Sequence, residues 1–175
     1  MWSTLGWLFA LVVTLAVAGT AAWAGWRAAP YVPTRSADVE RMLRLAAVQP
    51  GEVVYDLGAG DGRFVLAAAQ RGAQAVGFEI SVLPFLVAWL RTRSQRSPSR
   101  AQIRWQDFFH QDFSRADVIV CFLTPGAMAQ LGPKLRRELK PGARIVSYAF
   151  AIPDWTPVTK DKPTPRTMAV YLYRR

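Results

Sequence analysis

The chain has 175 residues, 51% of them hydrophobic and 12% aromatic, with 22 Lys and Arg against 12 Asp and Glu for a net charge of +10. That apolar content excludes an intrinsically disordered chain; the single Cys121 excludes a disulfide scaffold, and one cysteine beside one histidine excludes a zinc site built from the protein alone. The basic balance suits an acidic partner such as nucleic acid or anionic lipid, although 18 of the 22 basic residues are Arg, a bias that GC-rich coding produces by itself.

Residues 2–26 carry no charge. In a helix at ~1.5 Å per residue they reach roughly 37 Å, beyond the ~30 Å hydrocarbon core of a bilayer. Trp2 and Trp7 near one end and Trp23 and Trp26 at the other fit interfacial aromatic belts. A cleaved signal peptide is the competing reading, and Ala22-Trp23-Ala24 resembles its cleavage site. The segment has no basic n-region, however, and its apolar run is longer than an h-region, which favours a retained transmembrane anchor. Arg27, Arg35, Arg41 and Arg44 follow the span and no charged side chain precedes it. By the positive-inside rule the C-terminal domain then faces the cytoplasm, as in a single-pass protein of a bacterial-type inner membrane. Residues 27–35, with two prolines, read as a stiff linker, and residues 36–175 as one domain.

Ser36 is placed as the N-cap of a helix with Val39, Met42, Leu43 and Ala46 on one face, ended by Pro50-Gly51. Strands are expected at Val53–Leu57, Ala75–Glu79, Gln102–Gln106, Asp117–Leu123, Arg144–Phe150 and Met168–Tyr173. Helices are expected at Arg63–Arg71, Val82–Thr92 and Gly126–Leu139, with loops at 93–100 and 151–166. Short apolar strands alternating with helical patterns indicate an α/β fold with a doubly wound, mostly parallel sheet.

Asp56-Leu57-Gly58-Ala59-Gly60-Asp61-Gly62-Arg63 follows the first strand and opens a helix, at the sheet edge where open α/β folds bind nucleotides. It is G-x-G-x-G rather than the G-x-G-x-x-G of dinucleotide folds, and it lacks the Lys and Ser/Thr of a P-loop. Asp56 and Asp61 would repel a pyrophosphate and suit a ligand bearing an ammonium and a sulfonium, which points to S-adenosylmethionine. Glu79 ends the second strand, where a carboxylate accepts from ribose hydroxyls; an ordinary acid at a helix N-terminus is the plainer alternative. Asp107 follows the third strand at the same edge, suited to an adenine amino group or to a simple cap. Cys121 in V-I-V-C-F-L reads as buried filler, and His110 as an exposed loop residue.

These features resemble a class I S-adenosylmethionine-dependent methyltransferase, with its Rossmann-like seven-stranded sheet. More narrowly, the chain is similar to small protein-lysine methyltransferases related to the mitochondrial enzymes that modify the ATP synthase c-subunit and the adenine nucleotide translocase. The resemblance runs from Tyr31 to Tyr173. It is carried by Tyr31-Val32-Pro33-Thr34, the glycine turn, Gly77-Phe78-Glu79-Ile80, Asp107-Phe108, Pro133-Lys134-Leu135 with Glu138-Leu139, Val146-Ser147 with Phe150, and Trp155. Arg35 stands where the family usually has Pro, and Tyr148 where it often has His. Phe122-Leu123-Thr124-Pro125 lacks the (Asp/Asn)-Pro-Pro-(Tyr/Phe) pattern of adenine and glutamine methyltransferases, so nucleic acid is not the expected acceptor. The resemblance implies a protein lysine as acceptor, on a membrane protein or near the membrane; a membrane-tethered methyltransferase of small molecules or lipids, or a non-catalytic S-adenosylmethionine-binding module, is the alternative. Tyr31 is placed over the cofactor as part of a lid, with Thr34 offering a hydroxyl; a linker aromatic is the alternative for Tyr31. A lysine must shed its proton before it attacks, and an apolar aromatic channel favours that by disfavouring the ammonium. Tyr148, Phe150 and Trp155 are the candidates for such a channel, with core packing the alternative for Phe150.

Overall fold

A computed structural model describes residues 3–94 and 100–175. The core of the anticipated loop at 93–100, and Trp2 of the first aromatic belt, lie outside the described residues. The chain opens with α1 (Thr4–Arg27), capped by Ser3 and exposed along most of its length. Then follow α2 (Ser36–Leu45), β1 (Val53–Leu57), α3 (Arg63–Gln70), β2 (Gln74–Glu79), α4 (Val82–Arg93) and β3 (Ala101–Trp105). After a 3-10 turn at Phe108–His110 come β4 (Val118–Cys121), α5 (Pro125–Glu138), β5 (Arg144–Tyr148), β6 (Thr159–Asp161) and β7 (Val170–Arg174).

The seven strands form one sheet in the order β3-β2-β1-β4-β5-β7-β6. The first five run parallel, and β7 is antiparallel to both β5 and β6. This is the Rossmann-like architecture anticipated from the sequence. Two corrections apply. β6 falls inside the segment 151–166 expected as loop, and α2 begins at Ser36 with Arg35 as its N-cap rather than Ser36 itself.

Alternation along the strands divides the core between two faces. Val54, Val118, Val120, Val146 and Val170 meet Met42 and Leu43 of α2 and Phe64, Val65 and Ala68 of α3. Leu57, Ile119, Cys121, Ile145 and Tyr173 point the other way, against Met128, Leu131 and Leu135 of α5 and against Phe113. At ~25 cal/mol per Å² of apolar area removed from water, each fully buried Leu or Ile contributes on the order of 2 kcal/mol. Chain order reverses between β1 and β4, because β2 and β3 extend the sheet to one side and β4 and β5 to the other. Such a switch point opens a crevice at the carboxyl ends of the strands.

α1 is joined to this body at its C-terminal end. Arg27 reaches Asp107 (Nε to Oδ2, 3.2 Å) and Gln130 (3.0 Å). The Ala28 carbonyl accepts from the Thr124 amide (3.0 Å) and the Thr124 hydroxyl (2.7 Å). Thr124 is also the N-cap of α5. One residue therefore fixes both the start of α5 and the end of α1.

Candidate functional site

The crevice at the switch point is lined by the turn after β1, the ends of β2 and β4, residues 28–34, and Ala24 of α1. The turn is held down by its own backbone: the amides of Gly58 and Ala59 donate to the Phe78 carbonyl at 3.0 and 2.9 Å. Gly58 and Gly60 adopt φ of 84° and 55°, in the left-handed region that L side chains rarely enter. A Cβ on Gly60 would lie 2.7 Å from the Tyr31 ring, which rests directly on the turn. Gly62, grouped with Gly58 and Gly60 in the sequence, is not among the residues lining the crevice; it faces α4, where a Cβ would meet Ala88 at 3.0 Å.

The acids of the site divide into three kinds. The Asp56 carboxyl is buried, lines the crevice and has no hydrogen-bond partner among the described residues. Burial, then the nearby Glu79 and Asp61 carboxylates, push its pKa up to about 7. Glu79 is held by three amides, Gly60 to Oε2 (2.9 Å) and Ile80 and Ser81 to Oε1 (2.9 and 2.8 Å). A carboxylate offers about four acceptor positions, so roughly one remains for a ligand. Asp61 is spoken for: Arg63 reaches it with Nε (2.8 Å) and Nη2 (2.6 Å), and Arg91 of α4 with Nη1 (2.5 Å). Against the cost of burial, these two guanidiniums hold its pKa at about 2. Asp61, expected with Asp56 to face a cationic ligand, also lines the crevice, but two guanidiniums already match its carboxylate, whereas none reaches Asp56.

Arg63 also donates to the Thr34 carbonyl, so the chain before α2 is tied to the glycine turn, and Thr34 lines the crevice. Asp107 does not line it. Its carboxylate accepts from Arg27 and from the Phe109 amide (2.8 Å), so it caps the 3-10 turn and anchors α1. His110, 3.5 Å from the same carboxylate, is exposed as anticipated.

The aromatic candidates do not form one channel. Trp155 packs on the opposite face of the sheet, edge-on to Tyr173 (6.0 Å) and over Gly132 of α5, with Arg136 above its ring. Tyr148 is buried and donates its hydroxyl to Asp38 Oδ2 (2.9 Å). Burial and Asp38 push its phenol up to about 12, so it keeps its proton at neutral pH. Phe150 reaches the surface through a tight turn in which Ala149 takes φ 69°. Both rings converge on Phe122, which the sequence does not single out: Tyr148 edge-on at 4.9 Å and Phe150 stacked at 6.5 Å. Phe122 follows β4 and itself lines the crevice. Its place at the carboxyl end of a central strand was the available signal. Cys121, one residue earlier, is buried, and burial raises its thiol to about 12.

The crevice thus offers a buried carboxyl with no partner among the described residues, one free acceptor position on Glu79, and a glycine turn with open space above Gly58 apart from Leu123 at 3.5 Å. S-adenosylmethionine brings cations and hydroxyls, so the residues present fit it. Comparison with known proteins decides the family. The ANTKMT methyltransferase domain matches residues 56–159. A protein-lysine N-methyltransferase of the archaeon Saccharolobus islandicus is 41% identical over 148 residues, covering 82% of this chain and 92% of that enzyme.

The chain belongs to this methyltransferase family.

The methyltransferase is also 39% identical over 130 residues to the Xenopus laevis lysine N-methyltransferase of the ATP synthase c-subunit, covering 73% of this chain but 56% of that protein. It therefore spans little more than half the length of the frog enzyme. Among solved structures, a Salinibacter ruber protein described as an RNA methyltransferase, in complex with S-adenosyl-L-homocysteine, superposes with a TM-score of 0.78 at 35% identity, covering 82% of this chain and 93% of that one. The methyltransferase accordingly depends on S-adenosylmethionine. The Pro133-Lys134-Leu135 block lies away from the cofactor crevice: Lys134 pairs with Glu138 (2.7 Å), whose carboxylate accepts from the Phe113 amide (3.3 Å).

Proposed function

We propose that the methyltransferase modifies the side-chain amine of a lysine in a protein, at the surface of a membrane that α1 spans. The observation carrying this reading is the 41% identity to a protein-lysine N-methyltransferase over nearly the whole of that enzyme. Bound S-adenosylmethionine supplies an electrophilic methyl group. In this reading Asp56 attracts the cationic part of the cofactor, Glu79 accepts from a ribose hydroxyl, the turn at Gly58–Gly60 forms the floor, and Tyr31 and Thr34 belong to a lid.

The task left to the chain is to align the amine, strip its water and keep it neutral. Phe122 and Phe150 form an apolar mouth next to the crevice, with Tyr148 behind Phe122. An ammonium entering between those rings loses hydration, and that desolvation lowers its pKa. Tyr148 is not the base, since its hydroxyl is committed to Asp38 and stays protonated. Its work is to hold the Phe122 ring edge-on. The α1 helix is long and apolar enough to cross a bilayer. The charge asymmetry on either side of it supports a cytoplasmic domain.

The test is incubation of the full chain with methyl-labelled S-adenosylmethionine and native membranes, followed by hydrolysis and separation of amino acids, lipids and RNA. Label in methylated lysine is expected, and lost in Phe122→Ala with cofactor binding retained. Label in RNA alone would instead favour the activity described for the Salinibacter protein.

A further inference from the structure

α4 has an exposed face that its packing does not explain. Leu83, Leu86 and Leu90 recur at helical spacing and are 56%, 45% and 61% exposed. Trp105, at the end of neighbouring β3, is 57% exposed although it is fixed in place, its indole donating to the Ile80 carbonyl (2.9 Å) and its ring stacked on Phe85. From Ile80 to Gln106 the chain contains no acid, and it contains Arg91, Arg93, Arg96, Arg100 and Arg104. Arg91 is bound to Asp61, Arg93 lies over the Trp89 ring at 4.0 Å, and Arg104 donates to the Gln102 amide oxygen.

The position of this face relative to α1 decides what covers it. The Val82 amide, which opens α4, donates to the Thr20 hydroxyl of α1 at 3.3 Å. Thr20 precedes Trp23 and Trp26 in α1, and at ~1.5 Å per residue it lies roughly 4.5 and 9 Å nearer the apolar middle of that helix. Both tryptophans are exposed, as residues of an interfacial belt are. The first turn of α4 is thus level with, or deeper than, the belt. Leucines and a tryptophan, with Arg93 and Arg104 free of any carboxylate partner among the described residues, match a surface lying in the headgroup and acyl boundary. A second copy of the chain is disfavoured by the same arginines and by a net charge of +10.

We propose that the Leu83, Leu86 and Leu90 face of α4, together with Trp105, is seated in the interfacial zone of a bilayer bearing anionic headgroups. This rests on the reading that α1 spans the membrane. It places the cofactor crevice, which the end of α1 walls, at the bilayer surface in one fixed orientation.

The test uses the full chain in lipid nanodiscs containing phosphatidylglycerol, with nitroxide labels introduced singly by Leu83→Cys, Leu86→Cys and Lys162→Cys, and by Val12→Cys within α1. The native Cys121 is buried and serves as an unlabelled background. Collision with oxygen relative to a water-soluble nickel chelate is expected to be at least threefold higher at positions 83 and 86 than at 162, on the far edge of the sheet. The ratio is expected to fall when all headgroups are neutral. Nickel accessibility at 83 and 86 equal to that at 162 overturns the proposal. So does shielding from both reagents, which marks a protein partner, and an unchanged ratio in neutral discs removes the anionic headgroups. The Val12 label reports the span separately: oxygen-rich at 12 with water at 83 and 86 leaves α1 inserted and refutes the seating of α4, whereas water at 12 refutes the span itself.

Discussion

Asp56, in β1, and Asp61, in the turn that follows it, stand five residues apart, and their surroundings leave one carboxyl unpaired and match the other with two guanidiniums. Asp61 is matched by Arg63 and Arg91, while Asp56 is left buried beside Glu79 and raised to about 7 from an ordinary 3.8. A carboxyl whose folded pKa lies above its unfolded value binds more protons in the native state between the two. Its stabilising contribution is therefore complete below about 4 and is lost as pH rises toward about 7, by up to roughly 1.4 kcal/mol per unit. The difference in denaturation free energy between the ligand-free wild type and Asp56→Asn is expected to change over that window and to be flat above it. Parallel profiles for the two proteins would refute the assignment. At pH 6, binding of S-adenosylmethionine should also release protons, detectable by calorimetry in buffers of different ionisation enthalpy. The sequence makes the two acids of the turn visible but not their division of labour. Arg63 is local to the turn, yet Arg91 reaches Asp61 only because α4 packs Ala88 against Gly62. That is tertiary information, and so is the grouping of Tyr148 and Phe150 around Phe122 rather than around Trp155.

At the scale of elements, hydrophobic periodicity locates the strands and helices with buried faces and fails where other forces build the element. β6 is Thr159-Lys160-Asp161 on the sheet edge, exposed or partly exposed throughout, and it exists through pairing with β7 rather than through an apolar face. The sequence presents the first helix as an anchor joined by a linker, and the structure gives its last turn a further task. Ala24 and Ala28 line the crevice, Arg27 holds Asp107, and Thr20 meets the start of α4. A fragment beginning at Arg27 keeps the fold's two main core layers but loses Ala24 and the Thr20 contact. We expect it to bind S-adenosylhomocysteine about tenfold more weakly than the full chain in detergent, a difference of ~1.4 kcal/mol. Equal affinities would show that the helix only attaches the domain and does not shape its site.

For the molecule as a whole, order along the chain is enough to foresee a parallel sheet with a switch point, because alternating strand and helix patterns admit few other arrangements. The meeting of residues 28–34 with the glycine turn is not of that kind. It depends on Thr124 grasping Ala28 at one end and Arg63 grasping Thr34 at the other. Between those two clasps the chain has neither helix nor strand, and the Tyr31 ring lies on Gly60. A strap fastened at both ends has little entropy to lose when it closes, and in the proposed reading, where it covers the cofactor, it bows outward each time the spent cofactor leaves. We therefore expect the strap, rather than bond making, to time the catalytic cycle. Rapid-mixing experiments should accordingly find a first methyl transferred per site in a fast burst, followed by slower steady turnover. Replacing Pro30 and Pro33 with glycine, which loosens the strap, should shrink the burst and hasten the steady phase, whereas linear progress from the first turnover would mean that the strap never holds the product back.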